Sequence, residues 1–104
     1  MSEFCIALTT FENREQAKPV IDTVLEERLA ACVQEVNIHS HYVWENELCN
    51  DDEVLVLFKT RTNLFFELQS RLLELHPYDT PEVIQVEISN GFDGYLSWIK
   101  EVTK

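Results

Sequence analysis

Residues Glu53 to Arg61 read EVLVLFKTR, and five consecutive positions, Val54 to Phe58, are apolar. A strand puts alternate side chains on opposite faces, so this one presents hydrophobic surface to both sides of whatever sheet contains it. Covering one face is the work of helices, and two amphipathic segments are present to do it. In the first, Ala17, Val20, Ile21, Val24, Leu25, Leu29 and Cys32 recur at helical spacing, which predicts a helix from about Asn13 to Ala31 with Asn13 and Gln16 as a capping box. Pro19 requires that helix either to bend or to become regular only near Lys18. In the second, Leu64, Phe65, Leu68, Leu72 and Leu75 share a face, Thr62 or Asn63 offers a cap, and Pro77 stops the helix at His76.

The remaining strands follow from their patterns. FCIALT, Phe4 to Thr9, is a short apolar run. VQEVNIHSHYVWE alternates, with Val36, Ile38, Ser40, Tyr42 and Trp44 on one side and Asn37, His39, His41 and Val43 on the other. NELCNDD reads as a polar turn region, after which Glu53 to Arg61 returns as the hairpin partner. VIQVEIS is a fourth strand, Asn90-Gly91 turns the chain, and Asp93 caps a short last helix carrying Tyr95, Trp98, Ile99 and Val102. The order strand, helix, strand, strand, helix, strand is the split βαβ arrangement of ferredoxin-like α+β folds, an antiparallel sheet with both main helices on one face. Residues 1–104 form one domain. The second face of the sheet lacks cover beyond one short helix, and association with identical subunits supplies it most economically.

Composition excludes several functions. A net charge of -11 opposes nucleic-acid phosphates and suits cationic partners. No stretch approaches the roughly 20 apolar residues of a membrane span. MSEFCIALTTFE is a poor signal peptide, so a cytoplasmic location is expected. Cys5, Cys32 and Cys49 are odd in number and widely spaced, as free thiols in a reducing compartment would be. With glycine only at 91 and 94 there is no phosphate-cradling loop, and neither HExxH nor GxSxG occurs.

Three constellations carry chemistry. His39-x-His41 places two imidazoles on one strand face, a two-ligand arrangement that also suits a plain solvent-facing pair. Cys32 stands at a helix-to-strand junction as a small hydrophobe or a soft ligand, and Cys49 sits in the acidic turn region. HPYDTPE, His76 to Glu82, holds an imidazole, a phenol and two carboxylates on a backbone stiffened by Pro77 and Pro81. That stiffness fits a preorganised ligand loop and equally a tight crossover with a histidine at the helix end. Lys59, ending the apolar strand, either reaches water or pairs with a carboxylate such as Glu82.

EERLAACV, SHYVWENE, LFKTR, LHPYDTPEVIQVEI and GYLSWI occur in the order and spacing of the CutA divalent-cation tolerance proteins, which the chain resembles over nearly its whole length. The resemblance implies a PII-like homotrimer whose long central hairpin reaches neighbouring subunits. It implies a role in divalent-metal tolerance, with metal, copper(II) foremost, at clefts between subunits. His76, Glu82 and Cys32 are then the candidate ligands, and Tyr42, Trp44, Lys59, Tyr78, Tyr95 and Trp98 line the clefts. The alternative it leaves open is a PII-like signalling or scaffold module binding a small effector or protein partner there. An enzyme using His76 and Glu82 as acid and base lacks an activated nucleophile. The chain departs from the family pattern at Gln34, at Asn46 in place of glycine, and at Thr9, where some relatives carry a cysteine discussed as a copper ligand.

Overall fold

A computed structural model describes residues 2–104. The elements are β1 (Phe4–Phe11), α1 (Arg14–Glu26), β2 (Cys32–Trp44), β3 (Glu47–Arg61), a 3-10 turn (Thr62–Leu64), α2 (Phe65–Leu75), β4 (Ile84–Ile88) and α3 (Asp93–Val102). The sheet is antiparallel in the order β2-β3-β1-β4, the ferredoxin-like α+β arrangement expected from the element order.

Register assigns the faces. Cys5, Ala7, Thr9 and Phe11 stand beside Thr60, Phe58, Val56 and Val54. These pack under Ala17, Val20 and Val24 of α1 and Phe65, Leu68 and Leu72 of α2 to make the core. Each such large apolar side chain, once buried, contributes about 1.5 to 3 kcal/mol before the entropy of ordering it. Thr9 is the exception within that layer, since its buried Oγ1 has no hydrogen-bond partner among the described residues. The opposite face carries Ile6, Leu8, Leu55, Leu57, Val36, Ile84 and Val86, by the same pairings. Val36, Ile84 and Val86 remain 45–47% exposed there. Helix α3 covers only one end of it, where Arg61 donates to Thr103 Oγ1 at 2.9 Å and Ile99 is fully buried.

Four expectations are corrected. Helix α1 stops at Glu26, five residues before Ala31, because Arg28 adopts φ 59. The N–H of Leu29 then returns to the Val24 carbonyl at 3.1 Å, and that of Arg28 to Leu25 at 3.0 Å, a Schellman closure built without glycine. The strain of an arginine in the left-handed region is offset by Arg28 Nε donating to the Val102 carbonyl at 3.1 Å and by the Arg28 carbonyl accepting from Lys104 N–H at 2.9 Å. Pro19 lies inside α1, whose helical span already begins at Arg14, which excludes the start near Lys18. Asn13 Oδ1 caps it by accepting from Gln16 N–H at 2.9 Å, while Gln16 reaches back to Glu12 N–H rather than to Asn13. Neither Thr62, Asn63 nor Asp93 supplies a side-chain cap; a 3-10 turn leads into α2, and Phe92 precedes α3.

The largest correction concerns the hairpin. NELCNDD is almost entirely strand: β3 begins at Glu47, and the turn is only Glu45-Asn46, with φ of 51 and 66. Cys49 consequently lies within a strand, opposite Tyr42. Because β1 pairs with β3 only from Val54 to Arg61, residues 38–53 project beyond the sheet as a two-stranded ribbon. They account for the long axis of a molecule measuring 44 × 26 × 22 Å. Val43 and Leu48 on this ribbon are 67% and 89% exposed.

Candidate functional site

The groove with the most chemistry follows the free edge of β3 where the ribbon leaves the sheet. Its volume is about 890 Å³, and its walls are the end of β1, the ribbon, and the segment Tyr78 to Glu82. Glu12, Asp51, Asp52, Glu53, Asp79 and Glu82 line it, with no lysine or arginine among the lining residues. Six carboxylates on one concave surface favour cations. Tyr42 and Trp44 of β2 complete the wall.

His76 sets the loop that forms one side. Its backbone leaves the helix at ψ 135, as the following proline demands, and its N–H still bonds the Leu72 carbonyl at 2.9 Å. The ring turns toward β1 and stacks on Phe11, with centroids 4.4 Å apart and planes 8° from parallel. Nδ1 lies 3.1 Å from the Tyr78 N–H, which can only donate, so Nδ1 accepts. Nε2 therefore carries the proton and donates to the Thr10 carbonyl at 2.8 Å. Burial pushes the His76 pKa below its usual value, against smaller opposing contributions from Thr10 and Glu53. The neutral ring thus fixes the loop by two hydrogen bonds and a stack. Tyr78 adds a third anchor, its hydroxyl donating to Glu53 Oε2 at 2.8 Å, and burial followed by that carboxylate pushes its pKa upward. The stiffness of HPYDTPE is anchored, with Glu82 left exposed at its end.

On the ribbon, the Tyr42 hydroxyl donates to Asp51, which raises its pKa to about 12, with a smaller contribution from desolvation. Tyr42, Trp44, Tyr78 and Glu82 therefore share the groove, whereas His76 lies behind the loop with both ring nitrogens occupied. The other candidates gather elsewhere. Lys59 lies under the Tyr95 ring, its Nζ 5.5 Å from the centroid, and Tyr95 neighbours Trp98 at 5.7 Å. Cys32 pairs with Lys59 across the strands. Lys59 thus meets an aromatic ring and makes no ion pair with Glu82 among the described residues. Cys32 and Ser40, which lines the groove, are separated by eight strand residues, or about 26 Å. The candidate residues accordingly fall into two groups at opposite ends of β2.

Among the described residues, no three histidine, cysteine, aspartate or glutamate side chains converge on a common point. Sequence reasoning missed Glu12, Glu53 and Asp51 as groove residues. Asp51 and Glu53 come to the groove because β3 extends back to Glu47, and Glu12 because β1 ends at its wall.

Comparison with known proteins is decisive for the family. Residues 5–102 match the CutA1 divalent ion tolerance protein family. The chain belongs to that family. The Divalent-cation tolerance protein CutA of Pyrococcus horikoshii is 41% identical over 99 residues, covering 95% of this chain and 97% of that protein. Its solved structure superposes with a TM-score of 0.92, at 40% identity and 96% and 98% coverage. The chloroplastic Protein CutA of Arabidopsis thaliana is 40% identical over 95% of this chain and 55% of its own length. A structure described as the periplasmic divalent cation tolerance protein CutA of Archaeoglobus fulgidus gives a TM-score of 0.94 at 30% identity, covering 97% of this chain and 99% of that one. CutA1 relatives are thus described from more than one compartment. Among the described residues of this chain, no helix is long and apolar enough to cross a membrane.

Proposed function

We propose that the protein is a cytoplasmic homotrimer that contributes to divalent-metal tolerance by binding metal, copper(II) foremost, in clefts between subunits. The observation that carries this reading is the groove at the ribbon's free edge, lined by six carboxylates and one imidazole, His41, with no lysine or arginine. Glu82 supplies an exposed carboxylate. His76 joins as nitrogen donor once its ring gives up the Thr10 carbonyl and the Tyr78 N–H, and imidazole with carboxylate suits copper(II). Cys32, far along its own strand, reaches this groove only as the Cys32 of a neighbouring subunit. The exposed apolar ribbon and sheet face support such an assembly. Three free cysteines suit a reducing compartment.

A second reading, a signalling or scaffold module binding a small effector at the same clefts, rests on the other group of candidate residues. There Lys59 lies against the Tyr95 ring, which neighbours the half-exposed Trp98, and offers a cation to an anionic effector.

A buffered copper(II) titration of wild type beside Glu82→Gln and His76→Ala, with mass checked by light scattering, tests the first reading. A defined number of ions per trimer, with those held by Glu82 and His76 lost from the count in the variants while the mass holds, is the expected result. Equal, non-stoichiometric binding by all three proteins overturns it. A rise in melting temperature with an anionic metabolite, unaffected by chelator and abolished by Lys59→Met, would then favour the second.

A further inference from the structure

The pair His39 and His41 is not among the cleft ligands named above, although His41 and Asp52 also line that groove, and its surroundings are organised. Both side chains project from the same face of β2, and register sets Asp52 opposite His39 and Asn50 opposite His41. The four form a square on one side of the ribbon. His39 Nδ1 is 2.7 Å from Asp52 Oδ1, and its Nε2 is 3.0 Å from Asn50 Oδ1. The His41 ring stands edge-on to His39, with centroids 4.9 Å apart and planes at 76°.

The chemistry of those contacts is unusual. An ionised carboxylate only accepts, so His39 Nδ1 carries a proton. In the neutral ring, Nε2 then points a lone pair at the lone pairs of an amide oxygen, a contact relieved by a positive charge between them or by a turn of the amide that presents its N–H. An imidazolium proton supplies such a charge, and so does a metal ion. Histidine ligands characteristically hold their second ring nitrogen on a carboxylate, which fixes the tautomer and raises the ring's basicity, as Asp52 does here.

We propose that His39 Nε2, the His41 imidazole and Asn50 Oδ1 form a surface site for one divalent transition ion of the copper(II) or zinc class, with Asp52 as the positioning carboxylate. With ligand bonds near 2.0–2.1 Å, two donors at a tetrahedral angle stand about 3.3 Å apart, so the His39 to Asn50 separation need open only by a few tenths of an ångström. His41 is exposed and free to swing toward the same point, and water completes the shell. Glu12, Glu15 and Glu53 line the adjoining groove together with His39 and Asp52. The single arginine there, Arg14, is engaged with Asn37 Oδ1 at 3.0 Å. Two imidazoles and an oxygen favour copper(II) over zinc and exclude magnesium and calcium, which take oxygen shells.

The site shares His41 and Asp52 with the lining of the cleft groove but takes neither Glu82 nor His76 as a ligand, and the experiment separates the two sites. Intact protein is titrated with zinc(II) and copper(II) in wild type, His39→Ala, His41→Ala, Asp52→Asn and Glu82→Gln, with binding followed by imidazole NMR shifts for zinc and by electron paramagnetic resonance for copper. The expected result is one ion per chain showing two coordinated imidazole nitrogens. Either alanine variant should lose it or weaken it at least tenfold, Asp52→Asn should weaken it about tenfold while keeping both nitrogens, and Glu82→Gln should leave it intact. The histidines are exposed, so the alanine variants are expected to keep wild-type melting temperatures, which serves as the folding control. Undiminished binding in both alanine variants, or a copper spectrum with fewer than two nitrogens in wild type, overturns the proposal. So does absence of zinc-induced shifts at His39 and His41, the outcome if the Asn50 amide simply turns to donate its own N–H.

Discussion

His76 and His39 each engage both ring nitrogens within hydrogen-bond distance, and in electrostatic terms they are opposites. His76 is stacked on a core phenylalanine between a carbonyl and a peptide N–H, and burial lowers its pKa. His39 stands in solvent between a carboxylate and an amide oxygen, and the hydrogen bond to Asp52, then that to Asn50, raises its pKa. The same side chain is a neutral structural pin in the loop and a more basic, solvent-facing imidazole on the ribbon. What separates them is whether the partners donate or only accept, and whether water is excluded.

The strongest way to break this comparison is to remove each ring. His76→Ala deletes two hydrogen bonds and an aromatic stack at a half-buried site and should cost about 2 kcal/mol, whereas His39→Ala on the exposed ribbon should leave the unfolding midpoint close to that of wild type. Denaturant unfolding at fixed protein concentration measures both, and equal losses would show that the ribbon contacts are as structural as the loop.

Titration sharpens it further. For His76 the folded pKa lies below the unfolded value near 6.5, so the unfolded chain takes up the proton first. Its contribution is fully present above about pH 6.5 and is lost as pH falls from there through the lower folded pKa. His39 has the reverse sign: its folded pKa is raised, so its small contribution is present below the unfolded value and is lost as pH rises through the folded one. Imidazole NMR should find His39 titrating at higher pH than His76, and His76→Gln should flatten the acid side of the stability profile. A reversed order of titration would contradict the tautomer assigned to His76.

The smallest effect belongs to the ribbon tip. Glu45 and Asn46 both have positive φ, as a tight hairpin turn requires, and the second position is best filled by glycine. Asn46→Gly should raise the melting temperature slightly, by about 0.5 kcal/mol of stability or less, and leave both histidine titrations unmoved. A shift in His39 alone would show that the tip governs the square of side chains behind it.

Much of this was legible beforehand. Pro77 forces the backbone out of helix at His76, so the end of α2 could be located to the residue. Asn13 was recognisable as a cap because its side chain serves a donor three residues away. The uncovered face followed from an apolar strand wanting cover on both sides. Less visible was anything whose partner lies far along the chain. NELCNDD is as polar as a turn, and it becomes strand because β2 supplies every rung of its ladder as far as Trp44. Arg28 gave no sign of a left-handed residue, since the carbonyls and N–H groups that hold it come from residues 101–104. The candidate cleft residues read as a single set, yet they fall into two groups at opposite ends of one strand, because strand rise fixes their separation.

By itself, then, the sequence determined the order and type of the elements, the faces that α1 and α2 bury, and the proline-stiffened backbone of the His76 to Glu82 connection. These depend on local propensity, periodicity and the fixed geometry of proline, which act within a few residues. Only the tertiary structure decided that His76 is a neutral pin bonded to Thr10, that Tyr78 meets Glu53, and that His39 faces Asp52 and Asn50. The protonation and reach of a side chain depend on the groups that strand register and chain reversal bring against it, and those groups stand 11 to 66 positions away in sequence.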